Sequence, residues 1–207
     1  MTDKTFTIVD VETTGASPLS GRIIEIGLIR VSNGEVTHTY KSLLNPAEPI
    51  PAFITDMTGI QDQDVLSAPT FENIADELLE LFEGAVFVAH NAQFDYSFLQ
   101  SEFKRVGYEF ILPRLCTVQL SRAVYPEHRR HNLTALIERH GFACESRHRA
   151  YDDALVLWQF LQMLERELPQ ADLQKILTRL THYPVTRQEE TFAKVFFKGA
   201  TALDIEA

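Results

Sequence analysis

Cysteine is scarce in this chain of 207 residues, which contains only Cys116 and Cys144. The two lie far apart in the sequence and form no CxxC pair. This spacing disfavours both a disulfide scaffold and a thiolate metal site. We therefore expect two reduced, buried thiols.

Long hydrophobic runs are also missing. The longest apolar stretch, ALVLWQFLQML at 154–164, is too short to cross a bilayer. The N-terminal MTDKTFTIVD has no basic segment followed by an apolar one, so we expect no signal peptide. The sequence thus predicts a cytoplasmic protein that does not associate with membranes.

Positive charge is in deficit, because 19 lysines and arginines face 29 aspartates and glutamates, for a net charge of -10. This balance disfavours a protein that coats nucleic acid by electrostatics alone. The deficit is uneven, since residues 114–149 hold seven arginines and three glutamates, a local net charge of +4. That segment is suited to meeting phosphate, although a solvated helix face explains it equally well from charge alone.

What the sequence does contain is the composition of one soluble globular domain, with 45% hydrophobic and 23% charged residues. Its patterns predict a mixed sheet covered by helices, an α/β fold in which Asn33-Gly34 forms a hairpin turn and the first three strands run antiparallel. The predicted strands span 5–12, 22–31, 35–44, 85–90 and 108–112. The predicted helices span 70–82, 94–107, 117–124, 132–140, 149–166 and 170–180, with a further short one ending near Gly59.

Two carboxylates, Asp10 and Glu12, interrupt the first apolar strand in the stretch FTIVDVETTG. Residues two apart in a strand share a face, so the two side chains should project together. Burying two unpaired carboxylates is costly, and hard divalent cations such as Mg²⁺ or Mn²⁺ compensate their charge well. On this pair alone, a solvated or capped strand end is the more economical interpretation.

Two further stretches place acidic residues at helix starts. FVAHNAQFD puts Asp95 just after a second apolar strand, where capping the next helix is an ordinary use of aspartate. HRAYDDA puts His148 five residues before Asp153, at the start of the long predicted helix, where the helix dipole favours acidic groups. Taken singly, each stretch therefore has a purely structural interpretation.

Taken together and in this order, DVETTG, AHNAQFD and HRAYDDA resemble the three motifs of the DEDDh class of 3′–5′ exonucleases. This DnaQ-like group includes the proofreading epsilon subunit of bacterial DNA polymerase III. The resemblance covers about residues 5–165. His148 occupies the position of the histidine-type subclass, whereas Arg149 stands where the tyrosine-type subclass has its tyrosine.

The resemblance implies an RNase H-like sheet, an exonuclease domain at 1–168, and a C-terminal helix and tail of unknown function at 169–207, where FAKVFF is a candidate docking strand. It also implies His148 as general base. The implied ligands of two Mg²⁺ or Mn²⁺ ions are Asp10, Glu12, Asp95 and Asp153. The residues implied to contact the terminal nucleotide are Thr13, Thr14, Gly15, Met57, Thr58, Asn91 and Phe94.

The implied activity is metal-dependent hydrolysis of phosphodiester bonds at 3′ ends of nucleic acid, which releases nucleoside 5′-monophosphates. DNA is favoured, above all single-stranded DNA, with a role in proofreading or repair and a DNA polymerase subunit as a candidate partner. Two alternatives stay open: an RNA-trimming 3′–5′ exoribonuclease, and a non-catalytic module of this fold that binds nucleic acid or a polymerase. The presence of all five catalytic side chains favours an enzyme.

Overall fold

The computed structural model of the protein describes residues 4–183, which form five strands and eight helices. The strands are β1 (Thr5–Thr13), β2 (Ile23–Ser32), β3 (Glu35–Leu43), β4 (Ala85–Ala89) and β5 (Arg114–Cys116). The helices are α1 (Ala52–Thr58), α2 (Asp62–Val65), α3 (Phe71–Phe82), α4 (Gln93–Arg105), α5 (Thr117–Val124), α6 (Leu133–His140), α7 (Ala150–Glu167) and α8 (Gln170–Leu180).

The strands form one mixed sheet in the order β3-β2-β1-β4-β5. β1, β2 and β3 pair antiparallel, whereas β4 runs parallel to both β1 and β5. Asn33 and Gly34 have φ values of 54° and 81°, so the turn between β2 and β3 is the left-handed hairpin turn that the sequence predicted. The expected α/β sheet with three antiparallel strands is confirmed.

Alternation along β1 divides the core into two layers. Phe6 and Ile8 belong to the layer covered by α5 to α8, and Val9 belongs to the layer covered by α3 and α4. Because side chains alternate along a strand, Asp10 and Glu12 continue the face of Phe6 and Ile8. The two carboxylates therefore lie on the side of the sheet that α7 covers.

The start of helix α7 packs directly against Gly27 of β2. A Cβ at this position would lie 2.2 Å from the Tyr151 nitrogen and 2.3 Å from the Ala150 carbonyl carbon. Gly27 is also the partner of Asp10 in the register of β1 and β2. The missing side chain thus lets the first turn of α7 sit directly against the strand pair that carries Asp10.

The fifth strand lies later in the chain than the sequence predicted. The expected strand at 108–112 is wrong, and the pairing is made by Arg114–Cys116. Phe110 and Leu112 are buried, but the Tyr96 hydroxyl donates to the Phe110 carbonyl at 3.2 Å and accepts from the Leu112 amide at 3.0 Å. A side chain of α4 therefore satisfies the backbone groups that a neighbouring strand would otherwise bind.

Helix α8 packs on the same core as the helices before it, since Leu173 and Leu177 are buried in the layer beneath α7. The role of residues 169–207 and the boundary after residue 168 stay predictions. The proposed FAKVFF strand, at 192–197, lies outside the described residues. None of the helices within residues 4–183 combines the length and apolar character that crossing a membrane requires.

Candidate active site

Four carboxylates meet where the end of β1 passes under the start of α7. An open cavity of about 290 Å³ is lined by Asp10 and Glu12 of β1, Asp95 in the first turn of α4 and Asp153 in the first turn of α7. His148, just before α7, lines the same cavity. Three distant segments of sequence thus contribute acidic groups to one site, with an imidazole beside them.

Asp95 is fixed by the junction between β4 and α4. Asn91 follows β4 with φ 65°, a left-handed conformation that asparagine adopts more readily than most residues, and its carbonyl accepts the Phe94 amide at 2.8 Å. The turn brings the first turn of α4 back to β1, where an Asp95 carboxylate oxygen accepts the Val11 amide at 3.2 Å. Asp95 is only 3% exposed, so this hydrogen bond holds it at the cavity wall.

The start of α7 is fixed by a buried carboxylate on β2. Glu25 accepts from Arg149 Nε and Nη2 at 3.0 and 2.7 Å and from the Ala150 amide at 2.9 Å. It lies opposite Glu12 in the strand register. The Arg149 guanidinium therefore neutralises Glu25, and Glu25 in turn caps the helix that carries Asp153.

Burial and mutual repulsion make the cluster resist ionisation. Loss of solvation, reinforced by neighbouring carboxylates, raises the pKa of Glu12 to about 7. The same two causes raise the pKa of Asp10 well above its usual range, and burial raises the pKa of Asp95 to about 8. A site with this excess of acidic groups binds cations favourably.

These residues fit a hard divalent metal. Ligand atoms of Glu12, His148 and Asp153 all lie within 4.8 Å of one another, and Asp10 and Asp95 line the same cavity. Carboxylate oxygens are the ligands that Mg²⁺ and Mn²⁺ prefer. The donor set therefore suits the ions that the sequence predicted.

In EDTA, the unfolding temperature of the protein should fall as the pH is raised from 6.5 to 8. Glu12 and Asp95 have folded pKa values of about 7 and 8, above their ordinary values of 4.5 and 3.8. Between pH 6.5 and 8 these carboxyls are already ionised in the unfolded state. Deprotonation therefore destabilises only the native state and lowers the free energy of unfolding. His90, whose pKa burial lowers to about 4, opposes this trend only below its ordinary value of 6.5.

Differential scanning calorimetry at several pH values measures this slope. Asp95→Asn is the matched control, because asparagine retains an acceptor for the Val11 amide and cannot ionise. Its slope should be flatter than that of the parent chain. A parent chain that gains stability between pH 6.5 and 8, or an Asp95→Asn slope equal to the parent's, would contradict the prediction.

Of the residues expected to contact the terminal nucleotide, Asn91 and Phe94 line the cavity. Thr13 and Thr14 are buried at the end of β1, and both hydroxyls are hydrogen-bonded within the protein. The Thr13 hydroxyl donates to the Gly15 carbonyl at 2.8 Å, and the Thr14 hydroxyl donates to a Glu48 carboxylate oxygen at 2.7 Å. Any nucleotide contact at Thr13, Thr14 or Gly15 would therefore involve their main-chain groups.

Thr58 and Met57, at the end of α1, do not line this cavity. Thr58 is buried, with its hydroxyl donating to the Ile54 carbonyl at 2.9 Å and accepting from the Ile60 amide at 3.1 Å. Met57 is 46% exposed. Their predicted role in holding a nucleotide stays a prediction.

The cavity also contains side chains that sequence reasoning did not assign to the site. They are His90, Asn132, Leu133 and Arg147. His90 stands in the AHNAQFD motif and Arg147 directly precedes His148, so proximity to a motif was the only available signal. Asn132 was visible only as a helix start, and it does cap α6 by accepting the Ala135 amide at 2.9 Å.

The fold and the acidic cavity together define an α/β domain with a carboxylate cluster that could hold cations. Residues 7–161 match the family model described as RNase_T exonuclease. The match covers most of the chain, and the protein therefore belongs to this exonuclease family. The three motifs on which the resemblance rested all lie within the matched region.

Two curated relatives extend this assignment. The 3′-5′ exonuclease DinG of Bacillus subtilis is 40% identical over 190 residues, which cover 88% of this chain and 20% of that protein. A PolC-type DNA polymerase III of Caldanaerobacter subterraneus is 39% identical over 162 residues, which cover 78% of this chain and 12% of the polymerase. The chain thus spans a fifth or less of the length of these two relatives.

A solved structure shows the same fold. Exonuclease X in complex with 5′ overhanging duplex DNA superimposes with a TM-score of 0.65 at 23% identity. The match covers 83% of this chain and 99% of that one. The predicted RNase H-like arrangement of the mixed sheet is therefore confirmed.

Proposed function

We propose that this protein is a metal-dependent 3′–5′ exonuclease that hydrolyses phosphodiester bonds at 3′ ends and releases nucleoside 5′-monophosphates. The observation that carries the proposal is the convergence of Asp10, Glu12, Asp95 and Asp153 with His148 in one open cavity. Membership of the exonuclease family and the 40% identity to a 3′-5′ exonuclease support the same reaction.

Each side chain has a part in this reaction. The four carboxylates would hold two Mg²⁺ or Mn²⁺ ions, which supply the charge to activate water and to stabilise the leaving 3′ oxygen. His148 would accept the proton of the attacking water, since its imidazole lies at the cavity wall beside the carboxylates. Phe94 offers a ring on which a terminal base of any identity can stack.

The basic segment identified in the sequence supports binding of a nucleic-acid strand. A second cavity of about 350 Å³ beside helix α6 is lined by three arginines and a histidine together with Ala135 and one acidic residue: His128, Arg129, Arg130, Arg139 and Glu138. The start of α6 also lines the catalytic cavity. A strand whose 3′ end enters the site can therefore place its next phosphates near these guanidinium groups.

With Mg²⁺ or Mn²⁺ the purified protein should shorten 5′-labelled single-stranded DNA stepwise from its 3′ end, and EDTA should abolish the activity. The expectation follows from a donor set that suits hard metals and an open cavity that admits a strand end. Denaturing gel electrophoresis over time resolves the ladder of products. Cuts in circular single-stranded DNA, or activity that survives EDTA, would contradict this mechanism.

The choice of substrate is measured with the same assay. We propose DNA over RNA, because one of the two curated relatives is a DNA polymerase. Matched single-stranded DNA, duplex DNA with a mismatched 3′ end, and RNA of the same sequence separate degradation, proofreading and RNA trimming. Faster removal of RNA would favour the exoribonuclease alternative.

A DNA polymerase subunit is the proposed protein partner, supported by the similarity to a PolC-type polymerase. We also propose a cytoplasmic location, since the two relatives are nucleic-acid enzymes of bacteria. Co-purification of the tagged chain with polymerase subunits would test the association.

A further inference from the structure

The side chain of Arg147 places a positive charge beside the four carboxylates. Its Nη1 forms an ion pair with an Asp153 carboxylate oxygen, and its side chain is 29% exposed at the wall of the catalytic cavity. The guanidinium also lowers the pKa of Asp10 and of Glu12, against the larger rise that burial causes. Arg147 thus supplies from within the protein part of the positive charge that the cluster requires.

Arg147 makes fewer hydrogen bonds to its carboxylate partner than two other arginines of the protein make to theirs. Arg149 binds Glu25 through Nε and Nη2 at 3.0 and 2.7 Å, and Arg22 binds Glu102 through the same atoms at 2.8 and 3.1 Å. The buried Nε of Arg147 has no hydrogen-bond acceptor within the described part of the chain. Because it lacks this second bond, its ion pair is easier for another cation to replace.

The backbone at His148 explains why the arginine reaches the cavity. His148 has φ 61°, an uncommon left-handed conformation for a residue with a side chain. Extended backbone would send adjacent side chains to opposite sides, whereas here both Arg147 and His148 line the cavity. The bend that places the imidazole therefore also places the guanidinium.

We propose that Arg147 is the resident counter-cation of this site, which neutralises Asp153 in the metal-free protein and must be displaced when a divalent ion binds there. The inference rests on the metal-binding part of the proposed function. Departure of Arg147 and binding of the ion are then one linked equilibrium, and the arginine lowers the apparent metal affinity.

The test compares Arg147→Met with the parent chain by Mn²⁺ calorimetry and by thermal unfolding. Methionine keeps an unbranched apolar stem and removes the charge. We expect Arg147→Met to bind Mn²⁺ about tenfold more tightly, because no guanidinium has to leave the carboxylates. In EDTA the variant should unfold about 2–4 °C lower, since the cluster loses its counter-charge. At saturating Mn²⁺ the two proteins should unfold at the same temperature.

Two further variants serve as controls. Arg122→Met removes one positive charge from an exposed position on α5 and should change neither measurement. Arg147→Lys retains the charge and should unfold near the parent in EDTA. A loss of unfolding temperature in Arg147→Met that persists at saturating Mn²⁺ would make Arg147 a structural residue and overturn the proposal.

The outcomes also separate this proposal from the proposed function. A parent chain that binds Mn²⁺, with Arg147→Met binding it equally or more weakly, would overturn the displacement of Arg147 alone. A parent chain that binds no Mn²⁺ would overturn the displacement together with the metal-dependent reaction.

Discussion

The Asp153→Asn variant should lose at least about 10³-fold in turnover number, as removal of one member of a catalytic unit generally does. Asp153 is 3% exposed and lines the proposed catalytic cavity, whereas the adjacent Asp152 is part-buried outside the cavity lining. Neighbouring residues on a helix point about 100° apart, so only one of the pair can face the cluster. Asp152→Asn should therefore remain within about tenfold of the parent, reflecting only a lost charge at a helix start.

Turnover of 5′-labelled single-stranded DNA at saturating Mn²⁺ decides between the two aspartates. Circular dichroism of both variants is the necessary control, because Asp153→Asn also removes the ion-pair partner of Arg147. The reverse ranking of the two variants would mean that the third motif is assigned one residue too late.

His148→Ala should lower turnover by about 10²–10⁴-fold, the range expected for loss of a general base. The imidazole lies beside Glu12 and Asp153 at the cavity, where it can reach a water molecule bound by the carboxylate cluster. The four carboxylates remain in the variant, so Mn²⁺ binding should persist. The effect should thus fall on turnover and not on metal affinity.

Calorimetry distinguishes a base from a ligand, because the His148 ring lies close enough to Glu12 and Asp153 to share an ion with them. Loss of Mn²⁺ binding in His148→Ala would make the histidine a ligand, and unchanged turnover would leave it without a role. His38→Ala is the matched control, since it removes an exposed imidazole from the edge strand β3.

Much of the fold follows from local sequence patterns. The apolar run of β1, the Asn33-Gly34 turn and the helical spacing of α3 are properties of short segments, and the structure confirms each. The strand expected at 108–112 is wrong because its backbone bonds to Tyr96, which is distant in sequence. A local pattern gives no information about such a tertiary hydrogen bond.

In the candidate site, too, sequence patterns predict some features, and others depend on tertiary structure. Alternation in β1 indicated that Asp10 and Glu12 share a face, and the motif order indicated their meeting with Asp95 and Asp153. The position of Arg147 depends on the left-handed backbone of His148, which no pattern in SRHRAYDDA specifies. Conversely, Thr58 was placed near the nucleotide by its motif position, and in the structure its hydroxyl is bonded within α1 and to Ile60.

The docking of α7 against β1 and β2 has a consequence for the order of events during biosynthesis. The antiparallel strands β1 to β3 make contacts that are local in sequence, which form early, whereas α7 reaches them only after most of the chain has left the ribosome. A nascent chain that ends within α6 already carries Asp10, Glu12 and Asp95 but lacks both His148 and Asp153. On the proposed function, nuclease activity would therefore appear only late in synthesis, and chains that terminate within α6 should not degrade nucleic acid.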